Sequence, residues 1–119
     1  MPHLVVYGLA KSEFSDKSID VIEGAVTAVI LGIEELELNE GDISFAFVHD
    51  PSVTSRKIPI VVFVKLLLKR RKRTLRVKRR LAKAIASAFK AIPGNSRRVI
   101  EVATETFDPA KEGYCRIDP

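Results

Sequence analysis

The spacing of apolar positions changes repeatedly along this chain, and each change marks an expected element. Residues 2–7 (PHLVVY) are short and rich in β-branched and aromatic types, which predicts a strand. From Ile19 the spacing lengthens to the helical period, with Ile19, Ile22, Val26, Val29, Ile30 and Ile33 on one face. Ser15 or Ser12 is placed to cap that helix, and Asp16 suits its positive end. Residues 8–14 read as a loop and 39–42 (NEGD) as a turn. Over 43–49 (ISFAFVH) the period drops to two, with Ile43, Phe45 and Phe47 opposite Ser44 and Ala46. Residues 50–57 form a loop, and 58–68 are apolar on both faces, as a strand covered on both sides requires. Residues 75–92 return to the helical period: Leu81, Ala84, Ile85, Ala88 and Ile92 oppose Arg76, Arg80, Lys83, Ser87 and Lys90. Thr74 caps this helix, Pro93-Gly94-Asn95 stops it, and 98–106 (RVIEVATET) is again a strand.

The order is strand, helix, strand, twice over. Strands start at 2 and 58, helices near 15 and 74, and second strands at 43 and 98, giving offsets of 56, 59 and 55. A βαβ unit is therefore repeated without sequence identity. Two right-handed units put both helices on one face of a sheet. The predicted fold is α+β, βαββαβ, with a four-stranded mixed sheet and two helices on one face. One domain over 1–119 is expected, with halves at about 1–50 and 58–106 and a C-terminal tail. The uncovered sheet face would carry Phe63 and apolar neighbours, so a partner subunit is expected to cover it.

Charge sharpens this picture. Residues 1–50 hold 2 basic and 10 acidic side chains, 51–100 hold 16 and none, and 101–119 hold 2 and 5. Ten of the twenty Lys and Arg residues lie between Lys69 and Lys83. The first turn after Thr74 carries Arg76, Lys78 and Arg79 and no acid, although acids are favoured at a helix N-terminus. An anionic group bound at this junction would relieve the conflict. Such segregation fits a nucleic-acid face, or acidic and basic surfaces meeting between subunits. The RNA-binding domains of βαββαβ order stack bases on third-strand aromatics, and residues 58–68 offer only Phe63. No apolar run approaches the roughly 20 residues that span a bilayer, and no signal peptide is visible. With Cys115 alone, no internal disulfide forms, and a cytoplasmic location and an inert thiol are expected. His3 and His49 lack partners at metal-ligand spacing, so no metal site is expected.

Met1-Pro2, the doubled βαβ unit and the junction Arg70-x-x-Arg73-Thr74 together resemble the tautomerase superfamily. That family includes 5-carboxymethyl-2-hydroxymuconate isomerase, cis-3-chloroacrylic acid dehalogenase and macrophage migration inhibitory factor. The resemblance implies a homotrimer without cofactors, in which loss of Met1 frees the Pro2 amine to act as catalytic base. It implies that Arg70 and Arg73 hold the carboxylate of a small 2-oxo or 2-hydroxy acid. The segment Glu112-Gly113-Tyr114-Cys115-Arg116 is similar to the dehalogenase's Glu-Tyr-Gly-Arg segment, with its residues in a different order, and the resemblance adds Glu112 and Tyr114 as substrate-binding candidates. The chain departs from the family at other places. Ile30 stands where the dehalogenase has a histidine, Ile43 or Phe45 near the isomerase's second-strand arginine, and Val102 and Ala103 near the dehalogenase's tyrosine. Hydrolytic dehalogenation is therefore disfavoured, whereas plain proton transfer asks less of the site.

Elementary acid–base chemistry points the same way. An α-amino group titrates near ~7.7–8.0, and nearby guanidinium groups disfavour its charged form. A neutral secondary amine close to pH 7 suits general-base catalysis. The same cations can grip a carboxylate and stabilise the charge of an enolate. The expected function is a keto–enol tautomerase, with Pro2, Arg70 and Arg73 catalytic. The alternatives are a basic module contacting nucleic acid and a non-catalytic structural trimer.

Overall fold

The computed structural model describes residues 2–119; Met1 lies outside the described residues. Four strands, β1 (His3–Tyr7), β2 (Ser44–Phe47), β3 (Ile60–Leu68) and β4 (Ile100–Phe107), form one sheet in the order β2-β1-β3-β4. Two helices, α1 (Asp16–Leu31) and α2 (Leu75–Ala91), connect β1 to β2 and β3 to β4. Each connected pair is parallel, and the two βαβ halves join through an antiparallel β1–β3 pairing. The sheet is thus mixed because a helical crossover returns a strand parallel, whereas the junction between halves pairs antiparallel.

Alternation along the strands decides where the helices go. Leu4 and Val6 are buried whereas His3, Val5 and Tyr7 are half-buried or exposed. On β3, Ile60, Val62 and Val64 are buried and Phe63 and Lys65 are exposed. The buried set packs with Ile22, Val26 and Ile30 of α1 and with Val77, Leu81, Ile85, Ala88 and Phe89 of α2. Both helices therefore cover one face. Phe89 and Val77 belong to this core although the helical stripe read from the sequence omits them. Ser15 caps α1 by accepting from Ser18 N at 3.2 Å, and Thr74 caps α2 by accepting from Val77 N at 3.3 Å. Each satisfies an amide that the first helical turn leaves unpaired.

The strands are trimmed at their starts relative to the sequence reading. The third begins at Ile60 rather than 58 and the fourth at Ile100 rather than 98. Arg98 is withdrawn from the strand because its side chain is buried at this end of the sheet. There it donates to Glu13 Oε1 at 2.7 Å and to the Ile58 carbonyl at 2.8 Å. It also donates to the Gly8 carbonyl and, at 3.4 Å, to Asn95 Oδ1. Glu13 accepts a second bond from Ala10 N at 2.8 Å, and Arg56 approaches its other oxygen at 3.4 Å. Every polar atom of this buried cluster has a partner, so it is a clasp joining three loops.

At the opposite end, β3 bulges between Val64 and Leu67, where the β4 register slips. Leu66 adopts φ +57° there, a left-handed conformation that costs a branched side chain about 1 kcal/mol or more. The open face of the sheet shows Tyr7 and Phe63 edge to face, 5.8 Å apart and about two-fifths exposed (40% and 36%). Among the described residues no helix is long and apolar enough to cross a membrane.

Candidate active site

The junction between β3 and α2 is a tight turn. Lys69 N extends the strand pairing by donating to the Phe107 carbonyl at 2.7 Å, and Arg73 N closes the turn on the Arg70 carbonyl at 3.0 Å. This geometry turns Arg73 inward, leaving it only 7% exposed, while Arg70, Arg71 and Lys72 stay outside. The Arg73 fork donates through Nε (3.2 Å) and Nη2 (2.6 Å) to the Leu36 carbonyl and through Nη1 (2.7 Å) to that of Leu68. Leu36 ends a short 3-10 turn (Glu34–Leu36) after α1, and Glu37 follows with φ +53°, which sends the chain back toward β2. Arg73 thus ties the first βαβ half to the second. Three of the five N–H groups of a guanidinium are occupied in this way. Burial, and then the charge of Arg70, hold its pKa below the usual guanidinium value.

Beside this bracket lies a polar cavity of about 200 Å³, lined by Arg70, Arg73 and Arg116, by Glu37 and Asp42, and by Tyr114. Three cations and two acids line the cavity, and Arg116 is also paired with Asp118 at 2.9 Å. With Lys72 beside Glu37 counted, four cations stand with three acids, which leaves room for one carboxylate. Lys72 lies 3.6 Å from Glu37 and further neutralises that acid. The C-terminal tail reaches the cavity by folding back after β4, with the Tyr114 ring 5.8 Å from that of Phe107. Of the sequence-derived candidates, Arg70, Arg73 and Tyr114 are brought together here.

Pro2 immediately precedes β1 and is buried, and its carbonyl accepts from Ser44 N at 3.2 Å. His3 pairs with both Ser44 and Lys65. Because β3 runs antiparallel to β1, it finishes where β1 begins, so Pro2 and the Arg70–Arg73 turn share one end of the sheet. Asp42 of the cavity lies two residues before Ser44. Glu112 is separated from Tyr114: it lines a neighbouring opening of about 590 Å³ with His3, Lys65, Leu66 and Glu105. Neither lining includes Pro2.

The positions at which the chain departs from the resembled family are filled by packing. Ile30 is 2% exposed in the core, and Ile43, Phe45 and Val102 pack against it. Sequence reasoning assigned no role to Glu37, Asp42 or Arg116. The signal for the first two was the acidic surplus after α1, facing a basic turn in the other half.

No protein-family model matches the chain, and no curated protein does. Solved structures do. A fused 4-OT asymmetric trimer (F6, wild type) superposes with a TM-score of 0.63 at 14% identity, over 94% of this chain and 91% of that one. FG41 malonate semialdehyde decarboxylase inhibited by 3-bromopropiolate gives 0.53 at 18% identity, over 89% and 83%. Macrophage migration inhibitory factor from Toxoplasma gondii gives 0.50 at 11%, over 95% and 94%. At these identities the likeness is one of fold.

Proposed function

Starting from a tautomerase-superfamily fold, we propose that this protein is a cofactor-free keto–enol tautomerase of small 2-oxo or 2-hydroxy acids. Its base is the Pro2 nitrogen after removal of Met1. The observation that carries the reading is the cationic cavity holding Arg70, Arg73 and Tyr114 at the end of the sheet where Pro2 leads into β1. Arg70, the exposed arginine, pairs with the substrate carboxylate. Pro2 takes a proton from the carbon beside the carbonyl, and the C–H electron pair moves into the carbonyl to give an enolate. Tyr114 donates its hydroxyl hydrogen to the enolate oxygen to give the enol, and the protonated Pro2 passes its proton back to the Tyr114 oxygen, so that both groups are restored. Arg73 contributes chiefly through its field and by fixing the turn, because most of its donors are held by carbonyls. Burial of the proline ring and the Ser44 bond hold the nitrogen in one place, which lowers the entropy cost of proton transfer.

Replacing Pro2 with Ala, with Met1 removal verified by intact mass in both proteins, is expected to reduce enolisation of an aryl pyruvate by about 100-fold or more. Unchanged turnover would refute the mechanism and leave the fold as a structural trimer. Assembly into a homo-oligomer is part of the same proposal. The exposed Tyr7, Phe63 and Leu66 form an apolar face that a second copy covers, and the fused 4-OT that shares this fold is itself a trimer.

A further inference from the structure

The cations of α2 and of the turns at its two ends are divided into two banks. One faces the first half of the chain and is matched: Arg80 pairs with Glu35, and Lys72 with Glu37. The other faces β4 and lines an open groove of about 360 Å³ with Lys83, Lys90, Arg97 and the Ser87 hydroxyl over a floor that includes Ile100. Among the described residues none of these three cations has a carboxylate within ion-pair distance. Lys90 is instead positioned by donating from Nζ to the Arg98 carbonyl at 2.9 Å. The nearest acid along β4 is Glu101. It alternates with the inward-facing Ile100 and so points to the open face of the sheet, away from the groove.

We propose that this groove binds the phosphodiester backbone of nucleic acid, without reading sequence, separately from the chemistry at Pro2. Arg79, Lys83 and Lys90 lie within one outward stripe of α2, at helical spacing, and Arg97 continues it beyond the helix end. The twelve residues from Arg79 to Lys90 span about 16 Å of helix, the length along a duplex axis of about five phosphates of one strand at 3.4 Å each. A membrane surface fits less well. An interfacial helix needs a free apolar face, and Leu81, Ile85 and Phe89 of α2 are enclosed in the core. Burial of the open sheet face between copies leaves the helix layer outward, so each subunit of an oligomer presents its own stripe.

The test is fluorescence anisotropy of a 20-base-pair duplex with the full-length protein at 50 and 200 mM salt. The expected result is binding whose logarithmic salt slope becomes shallower by about 2.5–3 in the variant Lys83→Glu/Lys90→Glu/Arg97→Glu, with affinity at 50 mM reduced at least tenfold. The neutral variant Lys83→Gln/Lys90→Gln/Arg97→Gln should show the same change in slope, which guards against misfolding of the charge-reversed protein. Arg80→Gln, in the matched bank, should change affinity less than threefold. No binding at 50 mM, or an unchanged slope in both triple variants, would overturn the proposal. So would tighter binding to phosphatidylserine vesicles than to the duplex, which would assign the groove to membranes. Pro2→Ala should bind the duplex like the wild type, so this result stands or falls apart from the tautomerase reading.

Discussion

Glu13→Gln should remove more stability than any other single-atom change at an ionisable group in this chain. The perturbation exchanges one carboxylate oxygen for an amide nitrogen and removes a charge beside Arg98. The Glu13 and Arg98 side chains are 7% and 1% exposed, with Nη1 and Oε1 2.7 Å apart. Breaking a buried pair by removing one charge costs about 3–5 kcal/mol, because the remaining ion is uncompensated. The lower end applies here for two reasons. Ala10 N and Arg98 donate to the same Oε1, so the Gln oxygen in that place can still accept from both, and Arg98 retains the carbonyls of Gly8 and Ile58. The loss of the second contact, to the half-exposed Arg56, adds less than about 1 kcal/mol once solvent screening is counted. The expected total is about 3 kcal/mol. For a chain of this size that corresponds to a fall in Tm of roughly 10–15 °C. Urea unfolding at fixed protein concentration measures it, since dissociation of an oligomer contributes by mass action. Arg98→Met should cost about 5 kcal/mol, because it leaves the carbonyls of Gly8 and Ile58 and the Asn95 amide oxygen short of a donor. The double variant should lose less than the sum of the two. A loss below about 1 kcal/mol for Glu13→Gln at unchanged m-value would refute the view that this pair is desolvated and closed.

Gly8→Ala places a Cβ 2.1 Å from the Pro59 carbonyl oxygen at φ +92°, so it should destabilise by more than about 2 kcal/mol in the same unfolding assay. Arg73→Lys keeps the charge but cannot bracket the carbonyls of Leu36 and Leu68 together. It should cost about 2–3 kcal/mol and raise KM for a carboxylate substrate, whereas Arg70→Lys should raise KM with little loss of stability. Phe63→Asp introduces a charge onto the open sheet face beside Tyr7 and should shift sedimentation velocity toward the monomer; an unchanged oligomer would place the interface elsewhere.

Local physics made the element order legible. Helical spacing, the caps Ser15 and Thr74, and the stop at Pro93-Gly94 are set by residues within a few positions of each other, so the chain announces both βαβ units by itself. The restriction of both helices to one face follows from handedness and needs no long-range contact. The site was less legible. Arg70 and Arg73 look equivalent in the sequence, but only Arg73 meets the carbonyls of Leu36 and Leu68, 37 and 5 residues away. A guanidinium turns inward only where the fold supplies acceptors, and one of these acceptors comes from the other half of the chain. Glu112 and Tyr114 are two residues apart yet line different openings, because the path of the tail over Phe107 decides the side on which each falls. The same holds for Glu13 and Arg98, 85 positions apart, whose pairing comes from strand order alone. The sequence by itself determined the elements, their order and the segregation of charge. The tertiary structure decided which charges are buried and matched and which remain free to meet a ligand, since desolvation and pairing depend on neighbours distant in the chain.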